Sequence, residues 1–422
     1  MRLKRICPVI VAALALPALG ACGDSAESGK ADGGEIELSF SQWWEVELPE
    51  GVLRGVMDDF EKQNPGVKVK LISNPYAETM KTEIAAAATG TMADVVAING
   101  ESVYDLKEQG AIVNLSELMT QANYDPSELM SNDQIDGNTY MVRALNFTYP
   151  MYFNTDLLAQ AGYTEVPSNW SEFTEAAKAV TDEQANTYAW SMPISVESPA
   201  GFDPEAWLWA SGGRYLDNRQ PAFTTPEVKA EFEFLLQQYK DKLITPGAFT
   251  QQEQDKVEEF TQGRNAFMIG SLAHINGIRT SNPDLNFSIG AVPAQDGYEG
   301  KRGIAGASWG LGVADNSEHK AEAWKLIEYL LSTEVNSKLA TEAIGFPGNR
   351  NSTPGYVEGD PLFQQAFDLY QASELAMEFE ALPKLTDLRR NLNENLVKML
   401  QEEQTVEETQ EALQTYWSEA LG

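Results

Sequence analysis

Basic residues, histidine and cysteine are all scarce in this chain, and each scarcity removes a class of function. Against 63 Asp and Glu stand 30 Lys and Arg, a formal net charge of −33 over 422 residues. A field of that sign repels polyanions at long range, so no nucleic-acid partner is expected. The two His, His274 and His319, lie far apart, with no H-E-x-x-H pattern and no cysteine beside them, so no metal site and no cofactor are expected. Gly303-x-x-Gly306 and Gly310-x-Gly312 lack the Lys and the spacing of a phosphate-binding loop. No catalytic residue emerges either. Ser271-x-x-His274 could pair a nucleophile with a base, but a lone His at a strand end more often packs or caps. Both cysteines, Cys7 and Cys22, stand near the N-terminus, which leaves the rest of the chain without a disulfide. Beyond that N-terminus no apolar run approaches the roughly 18 residues a membrane helix needs.

What is present begins with Arg2, Lys4 and Arg5, an apolar run from Ile6 to Leu19, and then Leu19-Gly20-Ala21-Cys22. A charged start, a short apolar stretch and a small-residue cleavage site make a secretory signal, too short for a membrane span. The tetrad resembles the lipobox of bacterial lipoproteins, in which the Cys is lipidated and becomes the new N-terminus. The resemblance implies an extracytoplasmic protein anchored to the bacterial cell membrane through lipid on Cys22. Residues 23–35 contain no large apolar side chain and read as a flexible tether.

From residue 36 onward, strand and helix patterns alternate. Ile36, Leu38 and Phe40 alternate as a strand, and Val52, Leu53, Val56, Met57 and Phe60 share one helical face. Val67, Val69 and Leu71 alternate again, Thr79–Ala88 is helix-forming, and Asp94–Ile98 is a short buried strand. Strand, helix, strand, helix implies a mostly parallel sheet flanked by helices. Asp136-Gly137 marks a hairpin turn, Asn169 with Glu172 a helix start, and Thr225-Pro226 another. Two amphipathic helices, separated near Thr405, close the chain. No repeat and no Pro-, Gly- or Ser-rich internal linker appears, so two lobes are expected to exchange the chain several times rather than stand in series.

Several ordered landmarks carry a family resemblance. Phe60-Glu61-Lys62-Gln63-Asn64-Pro65-Gly66-Val67 is followed by Ala88-Thr89-Gly90-Thr91-Met92-Ala93-Asp94-Val95-Val96, by Gly110-Ala111-Ile112-Val113-Asn114-Leu115, and by Asp136-Gly137-Asn138-Thr139-Tyr140. Then come Met151-Tyr152-Phe153-Asn154-Thr155-Asp156-Leu157-Leu158, Val166-Pro167-Ser168-Asn169-Trp170-Ser171-Glu172-Phe173 and Phe260-Thr261-Gln262-Gly263-Arg264-Asn265-Ala266-Phe267-Met268. In this order they resemble the solute-binding proteins of ABC importers, in the carbohydrate-binding group that includes maltose-binding protein. Ala93 and Arg143 stand where that group usually has Pro. The resemblance implies an α/β, two-lobed periplasmic-binding-protein-like fold with a multi-crossing hinge. It places 36–145 and 304–352 in the N-terminal lobe and 146–303 and 353–422 in the C-terminal lobe. It also implies a monomer that captures a carbohydrate, an oligosaccharide by preference, and delivers it to the membrane permease subunits. A lipoprotein binding a peptide or another small solute, and a glycoside hydrolase, are the alternatives.

A sugar offers apolar C–H faces and a rim of hydroxyls, so its site needs aromatic platforms and convergent polar groups beyond the carboxyl ends of strands. Trp43 and Trp44 follow the first strand directly. Asn99 and Glu101 follow the strand ending at Ile98. Trp309, with Gly306 and Gly310 close by, allows near backbone approach. Trp207 and Trp209 are two residues apart on a short helix, so one is expected inside and the other at the cleft; Trp207 is chosen as the ligand contact. Ser271 ends a strand, and Asn146 and Tyr149 complete the set. Trp170, Trp324 and Trp417 sit inside amphipathic stripes and read as core.

Overall fold

The computed structural model describes residues 35–131, 134–196, 202–380 and 382–422, so the signal segment, Cys22 and all but the last residue of the tether lie outside the described residues. Strands β1 (Ile36–Gln42), β2 (Val67–Ser73) and β3 (Val95–Ile98) come first. Next are β4 (Val142–Tyr149) and β5 (Met151–Asn154), separated only by Pro150. The middle of the chain supplies β6 (Tyr188–Trp190), β7 (Leu216–Asp217), β8 (Gln220–Pro221), β9 (Asn265–Ile269) and β10 (Phe287–Gly290). The remainder supplies β11 (Gly303–Val313), β12 (Phe346–Pro347) and β13 (Glu374–Ala376).

Two sheets organise the lobes. The first has the order β12-β4-β11-β3-β1-β2, with β13 beside the start of β11; the second has the order β10-β5-β9-β6. The expectation of mostly parallel sheets is corrected. β1 is parallel to β2 and β3, but β11 is antiparallel to β3 and β4, and β5 is antiparallel to β9 and β10. β4, β5 and β11 carry the chain between the lobes, and a chain that leaves and returns contributes strands in both directions. β4 runs unbroken from Val142 to Tyr149, across the expected boundary between residues 145 and 146, and Pro150 separates it from β5.

Local chemistry explains the elements that frame the cleft. Helix Val52–Gln63 buries Leu53, Val56, Met57 and Phe60, the one-face spacing read from the sequence. β3 is buried on both faces: Val95 and Ala97 enter one core cluster, Val96 and Ile98 another. That is the pattern of a strand with helices on either side. Asp136 and Gly137 both have positive φ, at 53° and 77°, with Ile135 paired to Asn138 across the turn. Helix Trp170–Val180 begins where the Asn169 side chain accepts the Glu172 N–H at 2.9 Å. Helices Leu385–Leu400 and Val406–Leu421 are separated at Thr405, which forms a reciprocal capping box with Glu408. Trp170, Trp324 and Trp417 are buried. The second lobe's core reaches from Met151 to Trp417 and takes in Ala305 and Ala376, so it wraps the ends of β11 and β13.

Candidate ligand-binding cleft

A cavity of about 510 Å³ opens between the two sheets, walled by side chains from both lobes. From the first lobe come Trp43, immediately after β1, and Asn99, Gly100 and Glu101, immediately after β3. Both loops stand beyond the carboxyl ends of parallel strands, where open α/β sheets leave a crevice. β11 is locally irregular between Trp309 and Gly310, and its register sets Gly310 opposite Ile98, which brings Trp309 beside the Asn99 loop. From the second lobe come Phe202, Trp209 on helix Glu205–Ala210, Ser271 just past β9, and Arg389 on helix Leu385–Leu400. Phe147 and Tyr149 on β4 and the segment Met377–Glu380 after β13 complete the lining.

Six of the nine residues named from the sequence line this cavity: Trp43, Asn99, Glu101, Tyr149, Ser271 and Trp309. The other three are placed elsewhere, each for a geometric reason. Trp44 is fully buried, stacked on Trp309 with centroids 4.9 Å apart and planes 12° apart. It opens a helix, where consecutive residues turn about 100° apart, so Trp43 and Trp44 cannot share a wall. Asn146 is out of phase with Phe147 and Tyr149 on β4; it is buried, with its Nδ2 donating to the Tyr370 hydroxyl at 3.2 Å. Trp207 packs among Phe173, Trp190 and Phe234, with centroids 4.6–5.3 Å away, while Trp209 takes the cavity position.

Buried carboxylates hold the walls in place. Glu378 accepts from the Trp209 indole N–H at 2.7 Å and from the Tyr215 and Leu216 amides at 3.1 and 3.3 Å. Burial nevertheless pushes its carboxyl up to about 7, the hydrogen bonds offsetting only part of the desolvation. Glu380 accepts from Arg143 Nη2 at 2.6 Å and from Ser308 Oγ at 3.1 Å. A Cβ at Gly100 would collide with the Glu380 side chain, so any larger residue there would displace that carboxylate. Arg389 lies between the rings of Phe202 and Phe379, its guanidinium carbon 4.9 and 5.4 Å from their centroids. Glu205 faces it at 3.8 Å and Glu101, from the opposite lobe, at 4.0 Å. Burial raises the Glu205 carboxyl, and Arg389 opposes that rise. Glu47, exposed at the rim, accepts from the Trp309 indole, and partial desolvation raises its carboxyl. Among the described residues no cluster of His, Cys, Asp or Glu could hold a metal ion.

Aromatic faces on two lobes, with polar groups converging between them, make a site that encloses a small solute. The family model described as bacterial extracellular solute-binding protein matches residues 45–337. The chain belongs to that family. As a solute-binding protein it is an extracytoplasmic binding component rather than an enzyme, which sets aside the hydrolase alternative. The Bacillus subtilis galactooligosaccharide-binding protein is 23% identical over 350 residues, 81% of this chain and 80% of that relative. The multiple sugar-binding protein of Streptococcus mutans is 22% identical over 344 residues, 76% of each. Among solved structures, the sugar-binding protein MalE from Xanthomonas citri superposes with a TM-score of 0.76 at 19% identity, covering 92% of this chain and 97% of that one. The substrate-binding protein Lmo0181 of Listeria monocytogenes, in complex with cycloalternan, gives 0.72 at 19% identity, covering 91% and 98%. The structural likeness establishes the two-lobed fold.

Sequence reasoning missed several walls of this solute-binding protein's cleft. Glu47 and Phe147 were within reach, since each lies close in sequence to a residue that was named. Trp209 was the discarded half of a recognised pair. Phe202, Arg389 and Met377–Glu380 carry no local signal, because the tertiary fold alone brings them to the cavity.

Proposed function

We propose that this protein is the carbohydrate-capturing subunit of an ABC importer, closing two lobes over one saccharide and presenting it to the membrane permease. The observation that carries the reading is the aromatic lining shared between lobes: Trp43 and Trp309 on one side, Phe202 and Trp209 on the other. Sugar C–H faces stack on such surfaces, while Asn99, Glu101, Ser271 and Arg389 offer hydrogen bonds to the hydroxyl rim. Only the closed form lets a ligand touch both lobes, so binding favours closure by hinge bending at the β4–β5 and β11 passages. The names of the curated relatives support a saccharide, and the cavity's size admits an oligosaccharide. The body acts as a monomer, since one chain supplies both walls. The Leu19-Gly20-Ala21-Cys22 tetrad supports lipid anchoring at Cys22; replacing Cys22 by Ser would then release the protein from the membrane fraction.

The deciding experiment is a thermal-shift screen against mono- and oligosaccharides, followed by titration of tryptophan fluorescence. A saccharide that raises the melting temperature and loses roughly ten- to hundredfold affinity with Trp43→Ala supports the reading. If peptides or charged non-sugar solutes stabilise the protein and no saccharide does, the carbohydrate assignment fails.

A further inference from the structure

Behind the second lobe's wall lies an ion pair that does not itself line the cavity. Lys256, on helix Glu253–Thr261, and Asp203 are withdrawn from water, their side chains 1% and 0% exposed. The Lys256 Nζ donates to both Asp203 oxygens, at 3.0 and 2.9 Å, and meets Glu253 Oε2 at 2.7 Å. Burial opposes the ammonium charge, but Asp203 and Glu253 outweigh it and raise the amine above its ordinary value. A buried ion pair is weak ground for stability, because well-packed apolar side chains of similar volume often serve as well. What it holds in place is therefore the better guide to its use.

Asp203 follows Phe202 directly and stands two residues before helix Glu205–Ala210, which carries Trp209. The Phe202 ring is where the second wall meets: its centroid is 5.2 Å from Tyr149 and 5.8 Å from Trp209, and the Arg389 guanidinium carbon lies 4.9 Å away. All four residues line the cavity. Phe202 itself belongs to no strand or helix, and its carbonyl accepts the Ala206 N–H at 2.9 Å. A residue outside the regular ladders is held by its neighbours, and the two-pronged bond to Lys256 is made by the very next side chain. We propose that Lys256 is a positioning residue for ligand binding: through Asp203 it fixes the Phe202 turn, and with it the aromatic face that the second lobe presents to a bound solute. The proposal rests on the carbohydrate reading only for the choice of ligand.

The test separates position from stability. Asp203→Asn keeps the side chain's shape and leaves Lys256 its Glu253 partner, while Asp203→Asn with Lys256→Met removes both charges. Each is compared with wild type, alone and combined with Phe202→Ala. Calorimetry reads binding of maltotriose, cellotriose and chitotriose, and urea unfolding reads stability. Ring signals of isotope-labelled phenylalanine in the unliganded protein report on Phe202, assigned by the signal that Phe202→Ala removes. The charge-free variant should unfold near the wild-type midpoint yet bind roughly two- to tenfold more weakly, with the Phe202 signal broadened or moved toward that of an unfolded chain. In the Phe202→Ala background the same changes should cost no further affinity, because the group they position is gone. An unchanged affinity and an unchanged Phe202 signal in the folded variants would overturn the proposal, as would an equal loss of affinity with and without Phe202. Should the charge-free variant fail to fold, Asp203→Asn alone decides by the same readings. If no trisaccharide binds the wild type, the carbohydrate reading fails, and the Phe202 signal of the unliganded protein still decides the positioning claim.

Discussion

Each lobe carries two tryptophans close together in sequence, all four buried, and in each pair one indole borders the cavity while the other stands behind it, by different means. In the first lobe Trp43 lines the cleft while Trp44 stacks against the back of the wall on Trp309 and meets Phe40 edge-on at 5.6 Å. That wall is a second layer of the hydrophobic core, held by dispersion and burial. In the second lobe Trp209 is tethered by its N–H to Glu378, while Trp207 disappears into a cluster of Phe and Trp rings. That wall is held through a carboxylate taken out of water. The first wall therefore leans mainly on stacked rings, although Glu47 also holds the Trp309 N–H, and the second leans on a desolvated carboxylate, so the two should fail under different insults.

The largest effect is expected where the shape is removed. Trp44→Ala and Trp207→Ala each empty a fully buried indole and should cost about 3–5 kcal/mol of stability in urea unfolding. Trp44→Ala should also weaken ligand binding, because Trp309 loses the ring it rests on, whereas Trp207→Ala should act on stability with less effect on affinity. If Trp44→Ala left the affinity untouched in a still-folded protein, the idea of a layered first wall would be wrong.

The next effect is a pH dependence that Glu378 gives to the second wall. The Glu378 carboxyl titrates at about 7 in the folded protein against an ordinary 4.5. The folded state therefore holds its proton more tightly than the unfolded chain does. The stability this contributes is fully present below 4.5 and is lost as pH rises to 7, on the order of 3 kcal/mol in all. Glu378→Gln cannot titrate and should lack that loss, so the stability difference between wild type and variant should change across this window and flatten above it. Burial raises Glu205 and Glu231 as well, so only the difference isolates Glu378. Identical slopes for the two proteins would mean that the second wall does not depend on a protonatable tether.

The comparison also shows what could be read without coordinates. Alternation and helical spacing were legible wherever one face of an element is buried, as at Leu53, Val56, Met57 and Phe60, because burial itself writes that period. Loop positions after β1 and β3 were legible because a strand's end fixes where the next residues emerge. Strand direction was not, since β11 pairs with neighbours more than a hundred residues away and nothing local records its sense. The choice within each tryptophan pair was equally hidden. Spacing says that the members of a pair face different ways, but which of them faces the cleft depends on what the rest of the fold packs behind them. Arg389 shows the limit most plainly: it reads as one more charge on an amphipathic helix until Phe202, Phe379 and Glu101 arrive around it.

The smallest expected effect tests whether the aromatic walls, rather than the polar rim, carry the binding. Ser271 lines the second wall just past β9, and its hydroxyl is only weakly engaged, accepting the Ala273 amide at 3.3 Å. It is placed to give one neutral hydrogen bond to a ligand hydroxyl. Such a bond exchanges with water and nets about 0.5–1.5 kcal/mol, against about 1.5–3 kcal/mol for the apolar area of a large ring. Ser271→Ala should therefore weaken a stabilising saccharide less than Trp43→Ala or Trp209→Ala does, with stability within about 0.5 kcal/mol of wild type. Titration of all three variants with the same ligand orders them directly. Should Ser271→Ala prove the most damaging of the three, the polar rim would govern affinity and the two tryptophan walls would serve chiefly to shape the cavity.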